Sequence, residues 1–378
     1  DQLRATGRLP WNGQGARPTV QLLPGTWELD RGLVLRESDS GLLLRSTEPG
    51  GARLIGGRQL ARSQTRALDP VLDQAWLERL PSDAARAAVR VADLPADLAL
   101  FGPVQRGMGS TVVPVRSEVF MNGEALTPAR WPNHGFARLG EVLDTGSIPR
   151  NRERDIPEEA RETGPDRGGI FRPSGVSAER LARWATADEP WAMGYWFHDW
   201  ADQLLPIAKV DVHAGTVELG APHRYGLKSA ASFYVTNLVE ELDLPGEYCI
   251  DRGERRLYWW PLEPTEDSFR GAPELIITTL GEPLLSIDGA TGIEIVGLEL
   301  GKTRGAAVVV THSEQITIAS CVIQSTGTDG ISITGTDNVV VRCDLEDIGA
   351  TGVSLNGGER ASLTPAHNTL AQSRIRHF

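Results

Sequence analysis

No run in this sequence approaches eighteen apolar residues, about the length a membrane-spanning helix needs, so nothing here reads as a span. Basic residues are also in short supply. Thirty-eight Lys and Arg face fifty Asp and Glu, for a net charge of −12. With no strong basic run, a general nucleic-acid-binding role is disfavoured. An anionic polymer is repelled on average, unless a local basic patch overrides the net field. Cysteine is scarce and odd in number: Cys249, Cys321 and Cys343. That count supports no disulfide framework and no CxxC metal or redox site. The sequence also lacks a phosphate loop, an HExxH pair and a GxSxG elbow. Nucleotide chemistry, zinc hydrolysis and serine hydrolysis therefore go without support. No initiator Met or signal peptide is visible. The chain starts in a helix-like Asp1–Gly7 and stops inside a repeat, so the expectation is a piece lacking both ends.

What is abundant is turn chemistry, with 41 Gly and 24 Pro in 378 residues, which suits an all-β protein. From Leu284 to Phe378 the text repeats every 22 to 24 residues. Ile293–Leu300 aligns with Ile316–Ile323, and Cys321–Ile333 aligns with Cys343–Leu355. Each unit alternates apolar and polar residues in short runs divided by Gly, Thr, Asn and Asp, the signature of strand, turn, strand. Such a unit is too short for a propeller blade and has no helical stretch; it fits one coil of a parallel β-helix, in which equivalent positions stack in columns. Evenly spaced strands of a β-sandwich are the alternative. In the helix reading Leu298, Cys321 and Cys343 stack inward, as do Val308, Ile331 and Val353. Val309, Ser332 and Ser354 face outward beside Thr311, Thr334 and Asn356.

Residues 1–60 read as a helical cap remnant and the first coils, with short strands at 19–23, 26–29, 33–35, 42–44 and 52–55. Periodicity then stops. Residues 61–270 form an insertion, expected to be sandwich-like, with strands at Val112–Val115, Glu118–Met121, Leu204–Ala208, Val217–Leu219 and Leu257–Trp260. A short helix is expected around Pro81–Ala88 and a long exposed loop at Ile148–Gly169. Asn122-Gly123 signals a hairpin, and Pro245-Gly246 another turn. Residues 271–378 resume the coils at Gly271.

Three groups of residues invite chemistry. Trp196, His198 and Trp200 fall on one face if 191–200 is a strand, and with Asp199 and Asp202 they suit the apolar face of a sugar ring; an ordinary aromatic core explains them as well. Arg130, Trp131 and Asn133, with Pro132 and His134, mark either a ligand contact or a fixed corner. Glu314, Asp337 and Glu359 share one position in the coil alignment. Stacked roughly 4.8 Å apart, they would approach the spacing of a retaining carboxylate pair of about 5–5.5 Å, would raise one another's pKa, or could hold Ca²⁺; plain solvated turns are the simpler account. Asp344 and Arg374 become neighbours if the last coil carries extra residues near Gly357–Pro365. Asp329, Asp347, His312 and His377 show no partner. No cofactor is implied.

The order of these elements resembles secreted right-handed β-helix carbohydrate-active enzymes, most of all glycoside hydrolase family 141. The matching stretches are Pro24-Gly-Thr-Trp27, Asp39-Ser-Gly41, Gly56–Leu60, Ala129–Asn133, Gly194–Asp202, Asn237–Glu247, Leu257–Pro261, Gly352–Arg360, Leu363-Thr-Pro365 and Asn368. The resemblance implies a pectate-lyase-like solenoid that hydrolyses a plant cell-wall or similar polysaccharide through paired carboxylates, in a secreted or periplasmic setting. It places the catalytic acids on coils beyond Phe378, so that none carries over to a residue here. A polysaccharide lyase and a non-catalytic glycan-binding or fibre protein are the rival readings.

Overall fold

The computed structural model describes residues 2–6, 9–108, 110–262 and 274–378. Its frame is three parallel ladders that the chain visits in turn. The first stacks Thr19–Leu22, Leu43–Ser46, Glu294–Val296, Thr317–Ala319, Val339–Val341 and Thr369–Ala371. The second stacks Gly25–Glu28, Ala52–Ile55, Glu299–Thr303, Val322–Thr326, Asp344–Ile348 and Arg374–Arg376. The third runs through Leu33–Arg36, Leu285–Asp288, Val308–Glu314, Ile331–Thr336 and Val353–Asn356. Parallel ladders with every strand followed by a corner are the β-helix expected from the repeat.

Alternation along each short strand sends every second residue inward, and these residues form columns. Leu44, Ile295, Ile318 and Val340 line the first face. Leu54, Leu300, Ile323 and Leu345 line the second, and Leu35, Ile287, Val310 and Ile333 the third. All are buried in one core. Each contributes about 1.5–3 kcal/mol by leaving water, and β-branched side chains suit the pleated wall. The expected Leu298–Cys321–Cys343 column is buried too. Its two cysteines are free, and the adjacent Cys343 sulfur, together with burial, pushes the Cys321 thiol well up.

The corners explain the period. At each of three corners one residue per coil is left-handed: Gly292, Gln315, Asp337, His367; Gly297, Ser320, Arg342, Gln372; Lys302, Ser325, Asp347, His377. A sharp corner in a tight coil requires positive φ, which Gly, Asn and Asp accept at low cost. Other residue types hold it here because ladders on both sides fix the backbone.

Between Ile55 and Leu285 the chain builds other sheets. Gly57–Gln59 and Leu275–Thr278 pair beside Val119–Met121, and the Asn122-Gly123 hairpin forms as expected, with φ of 52° and 89°. A five-stranded sheet collects Thr127–Pro128, Glu247–Asp251, Arg256–Trp259, Arg90–Asp93 and Thr65–Ala67. The largest unit differs from the sandwich expected. Ser232–Thr236 pairs on one edge with Ala137–Asp144 and on the other with Trp191–Tyr195. With Ile170–Ser174, Thr216–Leu219 and Gln203–Asp211 this closes a six-stranded antiparallel barrel, which removes both sheet edges. The helix Ala178–Ala185, capped by Ser177 Oγ, which accepts from Arg180 N at 3.2 Å, covers its core with Leu181 and Trp184.

One further expectation needs correction. Val112–Val115 forms no strand; Pro114 cannot donate to a ladder, and Val112 and Val113 stay exposed. The coil boundary placed at Gly271 lies outside the described residues. The short helix is found at Asp83–Ala88, and 148–169 is an irregular, partly exposed segment pinned by Arg150–Asp155 and Arg152–Asp166 pairs.

Candidate functional site

The proposed column of acids does not form. Val309 sits over Ser332 at an offset of 23, but a register shift at His312, whose φ is 48°, consumes one residue. Glu314 therefore pairs with Thr336, and Asp337 moves to the next corner, where its backbone N donates to Ala366 O at 2.8 Å. The following coil is longer: Asn338 aligns with Asn368, 30 residues on. The surplus leaves the wall as a hairpin in which Glu359 and Thr364 exchange backbone hydrogen bonds of 2.9 and 3.0 Å. Glu359 Oε1 accepts from Ala361 N at 3.0 Å within that hairpin. The three acids thus occupy three different settings. Asn356 does stand on the outer face in register with Thr334, its amide donating to Ser354 Oγ at 3.0 Å.

The aromatic stretch also divides. The strand ends at Tyr195, so Trp196 does not share a face with His198 and Trp200. Its indole folds back under Gly194, where a Cβ would sit 2.7 Å from Cε2, and Nε1 donates to Gln203 O at 2.8 Å. Trp196 is barrel core, fully buried with Phe171 and Phe233. His198 and Trp200 instead stack in parallel at 5.0 Å and 11°, with Tyr225 edge-on to both at 4.9 and 5.6 Å. Trp200 is 55% exposed. Arg224 lies 5.8 Å from the Tyr225 ring and lines a cleft of about 290 Å³ with Gln203 and Asp166. This group presents an aromatic platform with polar neighbours, the arrangement that packs a sugar ring while hydrogen-bonding its rim.

Arg130, Trp131 and Asn133 build a corner. Arg130 Nε donates to Pro132 O at 2.9 Å, and its guanidinium covers the Tyr234 ring at 3.7 Å. Trp131 tilts against Trp184 at 5.4 Å under the Arg180 guanidinium. Asn133 Nδ2 donates to Asp243 Oδ1 at 2.7 Å.

Other groups find partners that the sequence left unassigned. His312 Nδ1 lies 3.0 Å from Asp288 Oδ1, and Thr311 Oγ1 donates to the same oxygen at 2.7 Å. Together they hold the Asp288 carboxyl below the usual carboxylate range. Asp344 and Arg374 pair as expected, with Nε donating to Oδ1 at 2.9 Å. Glu346, Asp347 and His377 bring ligand atoms within 4.8 Å of one another, but they are surface groups and Arg376 already engages Glu346. Glu240 and Glu241 are buried and answered internally, by Arg79 at 2.7 Å and by Trp184 Nε1 at 2.7 Å with Arg180 at 3.0 Å. A cleft of about 490 Å³ beside the helix Gln74–Arg79 contains Asp188, Glu189 and Glu254. Arg79, Arg252 and the Trp76 indole already bind those carboxylates. Those three acids of the cleft are thus committed to structural pairs.

Comparisons with known proteins follow the same outline. The family model described as "Right handed beta helix region" matches residues 283–376. No curated protein matches the sequence. A solved structure named "Glycoside hydrolase" superposes with a TM-score of 0.65 at 18% identity, covering 97% of this chain and 63% of its own. Much weaker superpositions, both with a TM-score of 0.17, are to the Gp54 tailspike of Acinetobacter baumannii bacteriophage AP22 with a capsular saccharide and to the catalytic domain of a GH87 alpha-1,3-glucanase with tetrasaccharides. The tailspike is 8% identical, covering 94% of this chain and 54% of its own; the glucanase is 12% identical, covering 83% and 62%. This chain thus spans less than two thirds of the glycoside hydrolase's length, and what the two share is the fold: ladders and intervening sheets alike.

Proposed function

We propose that this chain is part of a carbohydrate-active β-helix protein that hydrolyses glycosidic bonds in a plant cell-wall or similar polysaccharide outside the cytoplasm. The observation that carries the reading is the likeness in fold to a glycoside hydrolase across 97% of the chain, which takes in the barrel as well as the coils. The exposed His198–Trp200–Tyr225 platform and the outward row of Ser332, Ser354, Thr334 and Asn356 supply groups suited to a glycan. Fold alone does not assign chemistry. Because Glu314, Asp337 and Glu359 stand apart, the carboxylate pair belongs, in this reading, to further coils of the kind the longer neighbour has. In this reading the segment 61–270 is an insertion between early coils.

The test compares the 378-residue chain with a version extended to the neighbour's length, on neutral and uronate glycans. The expected result is binding by both and new reducing ends from the longer one only. An unsaturated uronate product would replace hydrolysis by elimination, and binding without turnover by the longer version would leave a glycan-binding protein.

A further inference from the structure

The barrel's strands alternate in direction, so the loops 145–169, 196–202 and 220–231 all leave it at one end. The bore below them is no cavity, because Trp196, Phe171 and Phe233 fill it. A ligand at this end must rest on the loops, and barrel mouths are a common place for one. Backbone hydrogen bonds hold these loops in place. Ala201 N donates to His198 O at 3.2 Å and Gly226 N to His223 O at 3.0 Å, each closing a turn. The buried His223 ring lies 2.9 Å from Gly226 O through Nδ1, and Lys228 N donates to Trp196 O at 2.9 Å, tying one loop to the other.

On this frame His198, Trp200 and Tyr225 leave an aromatic corner open to solvent. His198 covers one face of Trp200 at 5.0 Å and Tyr225 stands edge-on at 5.6 Å, yet 55% of Trp200 is exposed. Its other face is the accessible one. Its Nε1 has no hydrogen-bond partner among the described residues, whereas Nε1 of Trp196 and of Trp184 each has one. A ring held still and left in water forgoes about 25 cal/mol per Å² of apolar surface, which a docked ligand would recover. The cleft beside Arg224 continues from this corner. At about 290 Å³ it falls just under the ~300–1,000 Å³ of small-molecule sites, which suits one or two sugar rings rather than a long chain.

Charge narrows the choice. Arg224 is engaged by Glu153, and Asp166 by Arg152 at 2.6 Å. The guanidinium lining the cleft is thus taken, which leaves no fork for a uronate or a sulfate. In the loops 196–202 and 220–231, Asp199 and Asp202 enter no ion pair among the described residues, against an unpaired Lys228.

We infer that the loop end of the barrel is a binding site of its own for an uncharged pyranose, stacked on the free face of Trp200 against Tyr225. None of its residues is on a coil, so it holds a polysaccharide independently of the coils. The inference deepens the saccharide reading above and rests on it.

The experiment titrates the 378-residue chain and its Trp200→Ala, Trp200→Phe and Asn356→Ala variants with cellohexaose, xylohexaose and hexagalacturonate, by calorimetry and indole emission. At least one neutral hexasaccharide is expected to bind and to shift the emission. Trp200→Ala should weaken that binding by about tenfold or more, the loss of one central aromatic contact. Trp200→Phe keeps a ring and should retain most of the affinity. Because the indole is largely exposed, Trp200→Ala should melt close to the parent. A clearly lower melting point with unchanged affinity would make the stack structural and overturn the inference. Tighter, Trp200-dependent binding of hexagalacturonate would overturn the uncharged assignment. Binding untouched by Trp200→Ala would overturn the inference and leave the saccharide reading standing, and its loss in Asn356→Ala would then place the sugar on the coils. Binding of none of the three probes would overturn both.

Discussion

Glu247 closes the turn over Pro245-Gly246: its Oε2 accepts from Asp243 N at 2.9 Å and Leu244 N at 3.0 Å. Burial nonetheless pushes its carboxyl up to about 7 from 4.5, with the Asp243 charge adding to the effect of burial. The folded value exceeds the unfolded one, so folding takes up a proton. This group's contribution is complete below pH 4.5 and is lost as pH rises through about 7. A shift of that size corresponds to about 3 kcal/mol. Glu247→Gln keeps an acceptor and carries no charge. It should flatten the fall in stability across that window and leave the variant the more stable protein at pH 8, as read by denaturant titration at several pH values. A variant less stable than its parent at pH 8 would contradict this account. At the scale of single residues the sequence spoke unevenly. Trp200 and Trp196 look alike in the text, and only the end of the strand at Tyr195 sends one outward and the other into the barrel. The acids failed for a related reason. Counting by 23 ignores the residue absorbed at His312, and one step along a strand reverses the face.

At the scale of elements the coils were legible because every wall repeats the same short alternation, and the corner chemistry recurs with it. Asn338 shows how a corner is held. It is fully buried; its Oδ1 accepts from Ile316 N at 2.9 Å, and its Nδ2 donates to Ser313 O at 3.2 Å and to Asn368 Oδ1 at 3.1 Å. Asn368 passes the pattern on, donating to Gly335 O at 2.9 Å and Asn356 O at 3.0 Å. Asn338→Ala would strand a buried N–H and weaken the support of two carbonyls. The expected cost is about 2–4 kcal/mol, one to two buried polar groups left unmade, measured as a loss of hydrogen-exchange protection at Ile316 and its neighbours. Unchanged protection would mean that water replaces the amide. The helix Ala178–Ala185 was not legible although Ser177 and the Leu181–Trp184 spacing signal it, because strand-like text on both sides dominates the stretch.

For the molecule as a whole, barrel closure could not be read from the chain: alternation marks strands, but nothing local states that Ser232–Thr236 finds a partner on both edges. The consequence is two cores with no residue in common, one in the coils and one in the barrel. Repeat coils pass stability to their nearest neighbours, whereas a closed barrel keeps its own. The tryptophans make this separable. None of the ten lies beyond Trp260, so indole emission follows the barrel, its adjoining sheets and the first coils, and far-UV dichroism includes the later coils as well. Asn338→Ala should therefore lower the dichroism midpoint by several degrees and leave the emission midpoint nearly in place. Coupling between the halves runs through Leu275–Thr278, paired to both Gly57–Gln59 and Val119–Met121, and through the Arg304–Glu118 contact. If those links bind the cores into one cooperative unit, the two midpoints will fall together.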